Sequence, residues 1–168
     1  MQVLLIRHAI AEDYNTFALI NKVDDLRPLT EKGINKMCKS LQGLTTILSE
    51  IHYIVHSPLT RAMQTADLVQ QFYPNAQSIS LAALAPRGSA SNVLTYLQEH
   101  ANTHHTVALV GHEPSLGELG SWLLSGHTDT WLPLKKGGMC LLNFTEVVEE
   151  GQGDLQWLLS PKLLRNLK

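Results

Sequence analysis

The chain has little cysteine, no surplus of positive charge and no apolar run near the length of a membrane span. Cys38 and Cys140 are the two thiols in 168 residues. They are too few for a disulfide framework, so a reducing compartment is expected. Thirteen Lys and Arg stand against fifteen Asp and Glu, a net charge of −2. That balance makes no electrostatic case for nucleic acid or an acidic lipid surface. The first apolar run, residues 3–6, is too short for a signal core, and no run approaches about 18 apolar residues. A cytoplasmic protein with neither a membrane nor a nucleic-acid partner is expected.

Several catalytic signatures are missing as well. A cysteine phosphatase needs Cys-x5-Arg, but Leu44 and Glu146 occupy the sixth positions after Cys38 and Cys140. No Gly-x4-Gly-Lys-Ser/Thr run offers a nucleotide loop, and no Gly-x-Ser-x-Gly offers a serine hydrolase elbow. His100 and His104 are four apart beside His105, but position 101 lacks the Glu of a zincin helix; a polar helix end is the simpler reading. Aromatics make up 6%, and Trp122, Trp131 and Trp157 read as packing residues. No metal and no cofactor is expected.

What remains is an ordinary globular composition, 44% apolar and 17% charged, of a length suited to one domain spanning residues 1–168. Apolar runs alternate with amphipathic stretches, the pattern of a sheet covered by helices. Strands are expected at residues 3–6, in "IHYIVHS", at 78–81 and in "TVALVGH". "GGMCLLNF" and "DLQWLLS" form a late pair. Helices are expected after Thr30 as N-cap, in "LTRAMQTADLVQQF", at residues 91–99 and in "SLGELGSWLL". Residues 13–29 lack a period and read as a loop near the site.

Three of these strands end in similar chemistry. The first runs into Arg7 and His8. The second runs into His56 and Ser57, with Arg61 in the first turn of the next helix. The third runs into Gly111, His112 and Glu113. Loops at the carboxyl ends of parallel strands share one crevice, so two arginines and two histidines from separate segments would meet there. Such a group repels itself unless an anion occupies it. The guanidinium fork and the helix N-termini nearby suit a phosphoryl group.

"LLIRHA", "DLRPLTEKG", "VHSPLTRAMQTA" and "LVGHEPSLGEL" together resemble the histidine phosphatase superfamily, and most closely its small SixA-type phosphohistidine phosphatase branch. "WLLSP" near the end is similar too. The resemblance implies a single-domain three-layer α/β/α sandwich with a mostly parallel central sheet, of the phosphoglycerate mutase-like kind. It implies His8 as a nucleophile phosphorylated in turnover, Arg7 and Arg61 as holders of the phosphoryl oxygens, and His112 completing the pocket. Arg27 matches a position at the pocket mouth. Ala9 stands where the superfamily usually has Gly, a change that matters only if φ there is positive.

The implied substrate is a phosphohistidine on a protein domain of the histidine-phosphotransfer type, acted on by a monomer. A neutral imidazole is a competent nucleophile near pH 7 if its other nitrogen is protonated and held by a carbonyl or hydroxyl. Arg7, Arg61 and a protonated His112 would balance charge on the equatorial oxygens. Ser57 and Glu113 are further candidates for contact with substrate, and Glu113 could donate a proton to a basic leaving group. Two alternatives stay open: a phosphomonoesterase for sugar or nucleotide phosphates using the same pocket, and a phosphate- or phosphoprotein-binding module without turnover.

Overall fold

The computed structural model describes residues 1–19, 23–127 and 132–167. In β1 (Gln2–Arg7), Val3, Leu4, Leu5 and Ile6 expose no surface. Four consecutive buried residues need a sheet covered on both faces, and β1 lies inside one. The order is β3 (Gln77–Ser80), β2 (Tyr53–His56), β4 (Thr106–Gly111), β1, β5 (Met139–Asn143), β6 (Asp154–Leu159). Neighbours from β3 to β1 pair in parallel, whereas β5 runs against both β1 and β6.

Side-chain alternation divides the core. Leu4, Ile6, Ile54, Ala108 and Val110 face one layer, built from α2 (Glu31–Leu44), α3 (Thr60–Phe72) and α6 (Pro161–Leu164). Val3, Leu5, Val55, Val107 and Leu109 face the other, built from α4 (Ala90–His100) and α5 (Ser115–Ser125). This is the three-layer sandwich with a mostly parallel sheet that the resemblance implies. Trp122 and Trp157 pack against these cores; Trp131 lies outside the described residues. His100 closes α4 and stacks on Tyr96 at 4.4 Å. Cys38 and Cys140 are free, and no helix among the described residues is long and apolar enough to cross a membrane.

The helix expected after Thr30 starts where that cap indicates. The Thr30 hydroxyl accepts from the Gly33 N–H at 2.9 Å, and Met37, Leu41 and Leu44 bury the inner stripe of α2. Gly33 also lets α2 approach the first loop, because a Cβ there would sit 2.1 Å from the Ile10 carbonyl oxygen.

Short elements in two places escape the periodicity argument. Within residues 13–29, expected as a loop, lie α1 (Tyr14–Leu19) and a 3-10 turn at Asp24–Leu26. Six residues that bury only Phe17 are too few to display a helical period. The other is α6, where Ser160 accepts from the Leu163 N–H and Pro161 takes the first turn. Ser-Pro is a legible helix start, but the four residues after it carry no stripe.

Candidate functional site

Backbone pairing brings the three strand ends together. The β1–β4 register sets Arg7 opposite Gly111, the His8 N–H donates to the Gly111 carbonyl at 3.0 Å, and the Ser57 N–H donates to Val110 at 3.0 Å. The residues beyond these ends line a cleft of about 600 Å³ that includes Arg7, His8, Arg27, Arg61, His112 and Glu113. Ser57 stands behind the wall, its Oγ 2.8 Å from His112 Nε2. All seven candidates from the sequence therefore belong to one neighbourhood, six of them on the cleft and Ser57 against His112.

His8 is 5% exposed, and its Nδ1 lies 2.7 Å from the Ala9 carbonyl oxygen. A carbonyl only accepts, so Nδ1 carries the proton and Nε2 keeps its lone pair. Burial, with smaller contributions from His112, Arg61 and Arg7, lowers the His8 pKa to about 3. The ring is neutral at pH 7. Ala9 is itself fixed: its N–H donates to Thr65 Oγ1 at 3.1 Å, and that hydroxyl donates to the Arg61 carbonyl at 2.7 Å. Among the described non-glycine residues, Arg87 is the one with positive φ, so a methyl at position 9 meets no backbone strain.

The cations are held from behind. Arg7 Nη1 donates to the Leu134 carbonyl at 2.7 Å. Arg61 Nη1 donates to the Asp24 carbonyl at 3.0 Å, and its Nη2 lies 3.2 Å from the Asp24 carboxylate. Arg27 Nε reaches the other oxygen of that carboxylate at 2.7 Å, and its Nη1 donates to the Glu12 carbonyl at 2.8 Å. Arg7 Nε, Arg61 Nε and His112 Nδ1 are buried with no hydrogen-bond partner among the described residues. Unpaired buried donors are uncommon and call for a reason. Two guanidinium Nε–H groups and one imidazole nitrogen, all from residues that line one cleft, suit an anion there.

One expectation changes. Burial, then repulsion from Arg61, lowers the His112 pKa to about 4, so this ring is neutral at pH 7 and not the imidazolium expected from sequence. Its Nε2 is paired with the Ser57 hydroxyl at 2.8 Å, and its Nδ1 is the ring nitrogen left without a partner among the described residues. Glu113 is half-buried; its Oε1 accepts from the Leu134 N–H at 2.8 Å, and burial raises its pKa.

The sequence reading missed Asp24, the carboxylate that joins Arg27 to Arg61, and Lys136 and Tyr14, which also line the cleft. Asp24 lies in a segment with no period to place it. Lys136 sits in the loop before β5, where no strand-end motif flags it. Thr65, four residues after Arg61 on α3, was visible as one helical turn's spacing.

A family model described as histidine phosphatase superfamily, branch 1, matches residues 3–85. The chain is 30% identical to the phosphohistidine phosphatase SixA of Escherichia coli over 171 residues, covering 100% of this chain and 99% of that one. An uncharacterised protein of Picosynechococcus is 34% identical, with 98% and 99% covered. The solved structure of the protein histidine phosphatase SixA complexed with tungstate superposes with a TM-score of 0.81 at 28% identity, covering 96% of this chain and 98% of that one. The chain belongs to the histidine phosphatase superfamily, and its likeness to SixA supports phosphatase activity, a hydrolysis. Within it, the chain is of the SixA type and has the phosphoglycerate mutase-like fold.

Proposed function

We propose that this protein is a phosphohistidine phosphatase that removes the phosphoryl group from a histidine on a phosphotransfer or signalling protein. The observation that carries the reading is the His8 imidazole, locked by the Ala9 carbonyl in the tautomer that leaves Nε2 bare on the cleft shared with Arg7 and Arg61. SixA of Escherichia coli is named for this substrate, and the similar SixA structure holds tungstate, a tetrahedral oxyanion.

In the proposed mechanism the Nε2 lone pair of His8 attacks phosphorus. The bond from phosphorus to the substrate imidazole breaks, and that imidazole leaves with the electron pair and takes up a proton. Water then attacks phospho-His8, releasing inorganic phosphate and restoring Nε2. Arg7, Arg61 and His112 meet the equatorial oxygens, where phosphoryl transfer gains most from fixed donors. The arriving dianion also pulls the His112 pKa upward, since opposite charge favours the protonated ring. No step in this scheme calls for a metal or cofactor.

Leaving-group chemistry favours phosphohistidine. An alkoxide departs badly without an acid, while imidazole is far less basic. The cleft mouth is formed by exposed Glu12, Asp13, Tyr14 and Pro86, an open rim that suits a side chain presented by another protein. The reading includes a monomer working in a reducing cytoplasm. Glu113 favours a second reading, a phosphomonoesterase: burial on the cleft wall raises its pKa, the direction a general acid needs.

The test is a comparison of initial rates on a phosphohistidine peptide, a phosphoserine peptide and sugar phosphates at equal concentration. Faster turnover of phosphohistidine supports the reading. A preference for sugar phosphates overturns the substrate class. Binding of orthovanadate without turnover of any substrate points to the non-catalytic module.

A further inference from the structure

The loop that closes the back of the reaction cleft also forms the wall of a second groove. Gly137, at φ 75°, donates its N–H to the carbonyls of Arg7 at 3.0 Å and His8 at 3.1 Å. Lys136 lines the cleft on one side of this loop and a separate cavity of about 320 Å³ on the other. That cavity lies between α2 and α6, with Ile10, Met37 and Pro161 among its lining and Ala9, the neighbour of His8, at its edge.

Its charge is one-sided. Lys36, Lys135, Lys136, Lys162 and Arg165 line it, and no Asp or Glu does. None of the five makes a side-chain hydrogen bond or ion pair among the described residues; the four ion pairs that occur there involve Arg27, Arg61, His52 and His100. Five of thirteen Lys and Arg thus stand unpaired around one groove in a chain whose net charge is −2. A one-signed concavity concentrates the field and draws anions toward it. No aromatic side chain lines the groove, so it lacks the stacking platform of a single-stranded nucleic-acid site.

We infer that this groove docks an acidic, partly apolar segment of the substrate protein flanking its phosphohistidine. The inference rests on the phosphohistidine reading above and adds the partner's chemistry to it. Carboxylates would meet the five cations and an apolar side chain would rest on Ile10, Met37 and Pro161. The shared Lys136 joins this contact to the phosphoryl cleft.

The test uses two short phosphohistidine peptides, one flanked by glutamates and one by glutamines, with phosphoimidazole as a substrate too small to reach the groove. The wild-type protein is compared with the double variant Lys36→Glu, Lys162→Glu, which leaves every cleft residue in place. The wild type should prefer the glutamate peptide by on the order of tenfold in kcat/KM, through KM, and the preference should shrink with salt. The variant should lose that preference and keep its rate on phosphoimidazole. Equal rates on both peptides by the wild type, or a preference that survives in the variant, overturn the docking site and leave the phosphohistidine reading standing. Hydrolysis of phosphoimidazole with neither peptide turned over overturns the protein-substrate reading and the docking partner with it. Tighter binding of a single-stranded oligonucleotide than of the glutamate peptide reassigns the groove to nucleic acid.

Discussion

Acid should destabilise this protein through its two cleft histidines, which the fold holds neutral. An unfolded histidine titrates near 6.5, whereas the fold holds His8 at about 3 and His112 at about 4. A lowered pKa makes the unfolded state the better proton binder, so this stability is present above pH 6.5 and lost as pH falls. Each site costs about 1.4 kcal/mol per pH unit in that window, so at pH 5 the loss is about 2 kcal/mol per histidine and about 4 kcal/mol for the pair. That is a large share of the 5–15 kcal/mol typical of a domain. Urea unfolding at pH 7 and pH 5, in buffer without phosphate, reads the loss directly. Asn in place of His8 keeps a donor for the Ala9 carbonyl and removes one titrating group. The drop between the two pH values should therefore be about 2 kcal/mol smaller in His8→Asn than in the wild type. Glu113, whose raised pKa acts in the opposite sense, is common to both proteins and cancels in the difference. An identical drop in both would refute the claim that His8 is held neutral by the fold.

Other expectations concern single side chains. Arg61→Ala should weaken orthovanadate binding by at least about 30-fold, the lower end for removing one partner from a buried charged contact; unchanged affinity in a titration takes Arg61 out of the cradle. Glu113→Gln should barely slow phosphohistidine hydrolysis, and a loss of about 10²-fold or more would make Glu113 the general acid after all. Gly33→Ala should destabilise the protein by about 1–3 kcal/mol, because its methyl would meet the Ile10 carbonyl. A thermal midpoint equal to that of the wild type would mean that α2 can withdraw at no cost.

Much of this site could be read from sequence because its main members sit at strand ends or in the first turn of a helix. Arg7, His8 and His112 each follow an apolar run, Arg61 lies in the first turn of the helix after another, and a parallel sheet must bring such ends to one edge. The requirement that the second nitrogen of His8 be held was also legible; its partner, the Ala9 carbonyl, was not, since a backbone acceptor leaves no mark in the residue types. Asp24 and Tyr14 come from a segment whose short turns show no period, so nothing set them apart from loop residues. The neutral His112 ring of this structure was not legible, because burial beside Arg61 is a property of the packed cleft, not of the motif. The basic groove was hidden for a related reason: its cations are spread over α2, the loop before β5 and α6, and a net charge averages them away.

The central claim is that His8 takes the phosphoryl group from the substrate. Rapid quenching under alkaline conditions during turnover of a labelled phosphohistidine peptide, followed by peptide mapping, tests it most directly. The account predicts an acid-labile label confined to the peptide carrying His8 and absent from His8→Asn. A label on any other residue, or full turnover by His8→Asn, would contradict it.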